Sequence, residues 1–387
     1  MPEESTLITG ARILHAGHFR DGLAVRLSGG RISDIGPADM LDTHDDTNVI
    51  EAEGLTLVPG YIDVQVNGGG GVLFNDAPTR AGVEAIMAAH RTYGTTGMLP
   101  TLISDDFAVM RQAIKAVDEA IEAGVPGILG IHLEGPFLSE PKKGAHDAKH
   151  FRPIDAEAFE ILTSLKRGVT HVTLAPEETS PETIAALTKA GVIISFGHTN
   201  ATYEQAVAGI KAGATGVTHL YNAMTATTSR APGVVGAVFE DNDVFAGIIV
   251  DGFHLHPASI RVAMKAMGAD RLMLVTDAMP SVGMPEVDGR KEFTLTGRTV
   301  HVVNGRCTYA DGTLAGSDLD MAAAVRNAIR DVGVSPEVAV AMATHNPAKF
   351  LRLDRTHGQI APGYVADFVL VDDQWRTVKT IIGGEVY

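Results

Sequence analysis

The chain has 387 residues, 45% hydrophobic and 20% charged, an ordinary globular composition with ample core. Its 47 acidic residues against 31 Lys and Arg leave a net charge of −16, which argues against nucleic acid or an anionic membrane surface as partner. The start MPEESTLITG lacks a basic region followed by an apolar one, no apolar run is long enough to span a membrane, and the single cysteine, Cys307, excludes an internal disulfide; a cytoplasmic protein is expected.

Residues 1–56 read as short strands and turns, among them GLAVRLSGGRISDIGP with its Gly-Gly turn. The C-terminal HGQIAPGYVADFVLVDDQWRTVKTIIGGEVY has the same style, so one small β-sandwich built from both ends, 1–56 and 350–387, is expected. Between them, 57–349 contains eight apolar runs: GYIDVQVN (60–67), GMLPTL (97–102), GILGIHLE (127–134), HVTLAPE (171–177), VIISFGH (192–198), GVTHLYN (216–222), VFAGIIVD (244–251) and LMLVTD (272–277). Segments such as TRAGVEAIMAAHRTYG separate them, with apolar residues at three- and four-residue spacing and a terminal Gly, as helices have. Eight alternating βα units are the count of a closed (β/α)8 TIM barrel, whose strand C-termini converge on the face where such barrels do chemistry.

Polar residues stop several of these runs. In IHLEGPFL, His132 and Glu134 share a face, with Glu134 at the strand end and His132 one layer lower, where a packed, hydrogen-bonded role fits it. An unpaired Glu is costly to bury, so Glu134 needs a cation. His198 and His219 arrive at matching strand ends 21 positions apart, and one Glu with two His leaves a fourth ligand position open for water, the pattern of a catalytic zinc site. Asp277, at the end of the eighth run, is placed to take the proton of an attacking water. Asp63, Gln65 and Asn67 alternate onto one face of the first strand; amides are weak donors to zinc, so one divalent metal is expected rather than a bridged pair. Gly68–Gly71 reads as a flexible turn, because the spacing of a dinucleotide-binding loop is absent. Arg230 and His254, in loops after the sixth and seventh strands, can project over the mouth as anion binders. His15, His18, His44, His90, His150, His301 and His357 show no partner pattern and are assigned no role.

PGYIDVQVNGGGG (59–71), HLEGPF (132–137), KKGAH (142–146), FGHTNAT (196–202), THLYNAM (218–224), DGFH (251–254), TDA (276–278) and TLAGS (313–317) together resemble the amidohydrolase superfamily, and within it the N-acetylglucosamine-6-phosphate deacetylase family, through nearly the whole chain. Gln65 and Asn67 stand where other members carry His-x-His. The resemblance implies hydrolysis of N-acetyl-D-glucosamine 6-phosphate to D-glucosamine 6-phosphate and acetate. Glu134, His198 and His219 would hold the metal, Asp277 would be the acid/base, and His146 would contact the acetyl carbonyl. Arg230 and His254 would bind the phosphate. Ala145, Asn222, Ala223 and the turn Leu314, Ala315, Gly316 would contact the sugar. A homodimer is implied as well. No motif separates the glucosamine from the galactosamine epimer, so N-acetylgalactosamine 6-phosphate is the alternative substrate. A barrel without catalysis is the non-enzymatic alternative, and the complete ligand set argues against it. Activity on cyclic amides or nucleobases is disfavoured by Gln65, Asn67 and HLEGP.

Overall fold

The structure, a computed structural model, describes residues 5–41, 47–288 and 290–387; His44 and the first four residues of the acidic N-terminal stretch lie outside these. Eight parallel strands form one sheet in chain order: β1 (Tyr61–Val66), β2 (Thr95–Ile103), β3 (Gly130–Glu134), β4 (Val169–Leu174), β5 (Ile193–Phe196), β6 (Gly216–Val217), β7 (Phe245–Ile248) and β8 (Leu272–Leu274). The ring closes between its first and last strands, where the Asp277 N–H donates to Gln65 O (3.0 Å) and the Asn67 N–H to Ala278 O (2.9 Å). Seven helices, α1 (Arg80–Arg91) through α7 (Pro257–Met267), alternate with these strands, and α8 (Met321–Asn327) follows the eighth. The expected (β/α)8 barrel is therefore the fold.

Local sequence explains the helix starts. Thr79, Asp155, Ser180, Thr202 and Asp320 each accept a backbone N–H from the first helical turn, and Thr202 with Gln205 closes a reciprocal capping box. The amphipathic faces pack Val83, Ile86, Ala113, Val117, Ile184 and Leu187 against the barrel, all buried. At the other end of the hierarchy, both termini build two sheets. One has four strands, Arg31–Pro37, Leu23–Ser28, Ser5–Thr9 and Asn48–Glu51, and the other six, with Phe368–Val371 from the C-terminal segment against Thr56–Pro59 from the N-terminal one. Ile8, Ile13, Leu57, Phe368 and Ile381 share the apolar core of these terminal sheets.

A feature absent from the sequence expectations is a three-stranded antiparallel sheet, Lys291–Leu295, Arg298–Val303 and Arg306–Thr308, inserted between β8 and α8. Its second hairpin turns on Asn304 and Gly305, both at positive φ (52° and 78°), the conformation that an Asn-Gly pair favours in a two-residue hairpin loop. This sheet has a small core of its own (Leu295, Val300, Val302, Cys307, Tyr309). Cys307 packs there as a buried free thiol, its pKa pushed up to about 12 by burial.

Candidate active site

The interior of the barrel is polar, and its layers are hydrogen-bonded. His132 and His171 stack with ring centroids 4.1 Å apart. His132 lies between the hydroxyls of Thr101 (3.1 Å) and Thr173 (2.7 Å), and His171 meets Ser195 Oγ at 2.7 Å. Burial holds the pKa of His132 down at about 4 and that of His171 well below the usual range, so both are neutral packing groups. His132 is thus the packed residue its position one layer down predicted.

Above this layer the strand ends converge. Glu134 closes β3, His198 and His219 follow β5 and β6 by two residues, and Asp277 follows β8 by three. His198, His219 and Asp277 all have positive φ (48°, 34° and 52°), a conformation that costs a non-glycine residue about 1–3 kcal/mol and persists where surrounding structure imposes it. Backbone hydrogen bonds impose it here: Ser139 N–H to His198 O (2.9 Å), Asn222 N–H to His219 O (2.9 Å) and Asp277 N–H to Gln65 O (3.0 Å). All three side chains line the cavity at the barrel mouth.

Glu134 Oε1 lies 3.2 Å from His198 Nε2 and 3.1 Å from His219 Nε2, and the two imidazole nitrogens are 3.1 Å apart. A tetrahedral site with bonds of about 2.0–2.1 Å has ligand-to-ligand edges of about 3.3 Å, so the triangle has the size of one face of such a site. The His198 Nδ1–H donates to Lys142 O at 2.8 Å, which aims Nε2 at the others and frees it to act as a ligand, the usual device for orienting a ligand imidazole. Burial pushes the Glu134 carboxyl up, but the two histidines outweigh it and hold it well below the usual range; burial lowers His219 and Glu134 outweighs that, raising it. All three side chains are nearly inaccessible to solvent. These residues fit a divalent cation.

Asp277 is held by the first-strand amides. Its Oδ1 accepts from Asn67 Nδ2 (2.7 Å) and Gln65 Nε2 (3.1 Å), and Gln65 Nε2 also reaches Glu134 Oε2 (3.2 Å). Burial and then the nearby Glu134 charge raise the Asp277 pKa. Asp63, one layer down, accepts from the Thr276 hydroxyl and from the N–H groups of Gln65 and Thr276, tying β1 to the approach to Asp277; burial still pushes its pKa up to about 7. Spacing put Gln65 and Asn67 on one face but did not reveal them as partners of Asp277.

The cavity over this centre is lined by Glu134, Ala145, His146, His198, His219, Asn222, Ala223, His254, Asp277, Leu314 and Gly316, as expected, and also by Ile103, Met279, Leu295 and Thr313. His146 is buried and burial, with His198 beside it, lowers its pKa well below the usual range. His254 Nδ1 meets Asp251 Oδ2 at 2.7 Å, and Asp251 Oδ1 accepts the N–H groups of Phe253 and His254, so the imidazole is fixed at the cavity rim. Two expected contacts are not in the lining. Ala315 is fully buried in the small core of the inserted sheet, with its N–H on Cys307 O. Arg230 is exposed: Thr228 N–H donates to Ala231 O (2.9 Å), closing a turn that carries Ser229 and Arg230 outward at its tip. One chain therefore does not bring Arg230 into its own cavity.

No helix among the described residues is long and apolar enough to cross a membrane. A model of the amidohydrolase family matches residues 56–387. The chain is 44% identical over 379 residues (97% of this chain, 94% of the other) to the N-acetylgalactosamine-6-phosphate deacetylase of Shewanella sp. (strain ANA-3). It is 36% identical over 363 residues, 94% of each chain, to the N-acetylglucosamine-6-phosphate deacetylase of Haemophilus influenzae. Among solved structures, the N-acetylglucosamine-6-phosphate deacetylase of Pasteurella multocida superposes with a TM-score of 0.94 at 35% identity, covering 99% of both chains. A barrel with its polar strand ends gathered on one possible metal position, and a family match that covers most of the sequence, lead to one conclusion: the chain belongs to the amidohydrolase family.

Proposed function

We propose that the protein is a metal-dependent deacetylase that cleaves the acetamide of N-acetyl-D-glucosamine 6-phosphate, giving D-glucosamine 6-phosphate and acetate. The observation that carries this reading is the convergence of Glu134, His198 and His219 on one point beside Asp277, in a chain 44% and 36% identical to deacetylases of N-acetylhexosamine 6-phosphates. The 44% relative is named for the galactosamine epimer, so N-acetyl-D-galactosamine 6-phosphate is the second reading. Steady-state kinetics on both sugars decides between them: a higher kcat/KM for the glucosamine epimer supports the first, and the reverse order supports the second.

We infer one zinc ion per chain, held by Glu134, His198 and His219, because two imidazoles and one carboxylate with a fourth position open are a hydrolytic zinc set. When bound, the metal is a Lewis acid and lowers the pKa of the water it holds from about 15.7 towards 7. Asp277 takes the proton of the attacking water as the water oxygen adds to the acyl carbon. The same carboxyl then gives that proton to the nitrogen as the C–N bond breaks, releasing the amine and acetate. His146 donates a hydrogen bond to the acyl oxygen as negative charge develops on it. Gln65 and Asn67 turn their N–H groups towards Asp277 and Glu134, so they present donors where a second cation would need lone pairs. Elemental analysis is expected to find about one metal per chain; two stoichiometric ions would contradict this assignment.

The walls given by Ala145, Asn222, Ala223, Leu314 and Gly316 hold the sugar in this reading, with Ala315 contributing only through the turn that it anchors. His254 and Arg230 bind the phosphate. Because Arg230 points outward, the proposed homodimer would deliver it to the partner's cavity. Arg230→Ala is expected to raise KM for the 6-phosphate about ten- to a hundredfold, the size of one lost charge-assisted contact, with little effect on the weak activity towards unphosphorylated N-acetylglucosamine. At a 6-phosphate concentration far below the raised KM, where Arg230→Ala and Asp277→Asn subunits each turn over little alone, a mixture of the two should regain activity as hybrid dimers form. No recovery would return Arg230 to its own subunit, and equal loss on both sugars would reject the phosphate role.

The division into a sandwich of residues 1–56 and 350–387 and a catalytic barrel of 57–349 is part of the same proposal, with its first cut inside the strand Thr56–Pro59. The single cysteine suits a reducing compartment, so the cytoplasm is the proposed location.

A further inference from the structure

We propose that Ser104 is a positioning residue that fixes the proton of His146 on Nε2, so that the imidazole presents an N–H to the acyl oxygen of the substrate. This rests on the deacetylase reading above. Ser104 is the first residue after β2 and is 4% exposed. Two groups of Ser104 meet one atom of His146: the backbone N–H lies 3.3 Å and the hydroxyl oxygen 2.8 Å from Nδ1. A backbone N–H can only donate, so Nδ1 carries its lone pair there, and the hydroxyl at the same atom is a second donor. An imidazole that accepts at Nδ1 is neutral and keeps its one proton on Nε2.

Among the described residues, the His146 imidazole makes no other hydrogen bond, and the ring lines the cavity 4.3 Å from the ring of His198. The N–H that Ser104 leaves on the ring is therefore unspent and available to a ligand. The alternative tautomer would turn a lone pair towards an oxygen that gains negative charge during attack, replacing attraction with repulsion. The surroundings hold Ser104 in place. A Cβ on Gly135, the residue after the ligand Glu134, would lie 2.3 Å from Ser104 Oγ and 2.8 Å from Leu138 Cδ1. Gly135 also has φ +87°, a backbone conformation that favours glycine. The chain thus keeps a glycine where β3 opens into the mouth, and the Ser104 hydroxyl occupies the space between that opening and His146.

Ser104→Ala removes the shorter of the two donors and leaves the backbone N–H. The expected result is a fall in kcat of roughly tenfold, the size of one lost neutral hydrogen bond, with KM changed less than about twofold and metal content unchanged. The decisive comparison is a double-mutant cycle. In a His146→Gln background, Ser104→Ala should lower kcat less than about twofold further, because the group it acts through is gone. Nitrogen-15 NMR of histidine-labelled, zinc-loaded protein gives a readout independent of turnover. His146, assigned by the resonances lost in His146→Gln, should show a pyridine-type Nδ1 and a pyrrole-type Nε2, and Ser104→Ala, left with only the longer backbone donor, should raise the share of the other tautomer. Should the alanine variant fold poorly, Ser104→Cys, with a weaker donor, should give an intermediate kcat and tautomer ratio. An unchanged tautomer in the Ser104 variants, or the same loss of kcat in both backgrounds, would overturn the assignment. If the protein turned over no N-acetylhexosamine 6-phosphate, the deacetylase reading would fall, and the spectra would still decide whether Ser104 sets the tautomer.

Discussion

Asp277→Asn is expected to lower kcat by roughly 10²–10⁴-fold or more, the contribution of a positioned acid/base group, while fold and metal content remain. Of the two carboxyl oxygens of Asp277, only Oδ1 has hydrogen-bond partners among the described residues, Asn67 and Gln65. The amide oxygen of the variant keeps both of these, and its NH2 takes the place of the oxygen that would receive the proton. Volume is nearly constant. The change also removes a negative charge that burial and Glu134 disfavour, so Tm of the metal-free protein should hold or rise. Steady-state kinetics, metal content and thermal unfolding on one preparation check all three points. Near-normal turnover would move the acid/base role to another residue.

Glu134→Gln is expected to lose the metal, and with it the activity. The carboxylate is the one anionic member of the cluster and touches both imidazoles. A neutral amide there offers a weak ligand and leaves the cation uncompensated in a site closed to solvent. Because even the loss of an outer hydrogen-bond partner of a ligand lowers affinity or activity about 10–100-fold, loss of a ligand should exceed that. Dialysed variant protein should hold well under one metal per chain, with acetate release falling in proportion. A variant that kept one metal per chain and full turnover would place the metal elsewhere.

How much of this was legible in the sequence depended on how local the signal was. Glu134, His198, His219 and Asp277 could be picked out because each interrupts or ends an apolar run, a pattern carried by six to eight consecutive residues. The barrel followed from the same runs. The inserted sheet escaped because its strands are half exposed, so Lys291–Leu295 and Arg298–Val303 contain no continuous apolar run; Asn304-Gly305 between alternating residues was the available cue. The amides illustrate a different limit. Alternation placed Gln65 and Asn67 on one face, but Asp277, the group they hold, is more than 200 positions away and adjoins them only because the barrel closes. Ser104 lay beyond reach for the same reason, since His146 is 42 positions distant and its orientation depends on the fold. Arg230 was placed over the mouth from its loop alone; in the structure it is exposed in the turn closed by Thr228 and Ala231 and does not line the cavity of its own chain.

Metal-dependent deacetylation is tested most directly by acetate release from purified protein that has been stripped of metal and then reloaded with zinc. The stripped protein is expected to release none, and turnover should return at about one zinc per chain. The reloaded protein should form one acetate and one free amine for each N-acetylglucosamine 6-phosphate or N-acetylgalactosamine 6-phosphate consumed. Full activity in the stripped protein, or no acetate from either sugar at full zinc loading, would contradict metal-dependent deacetylation.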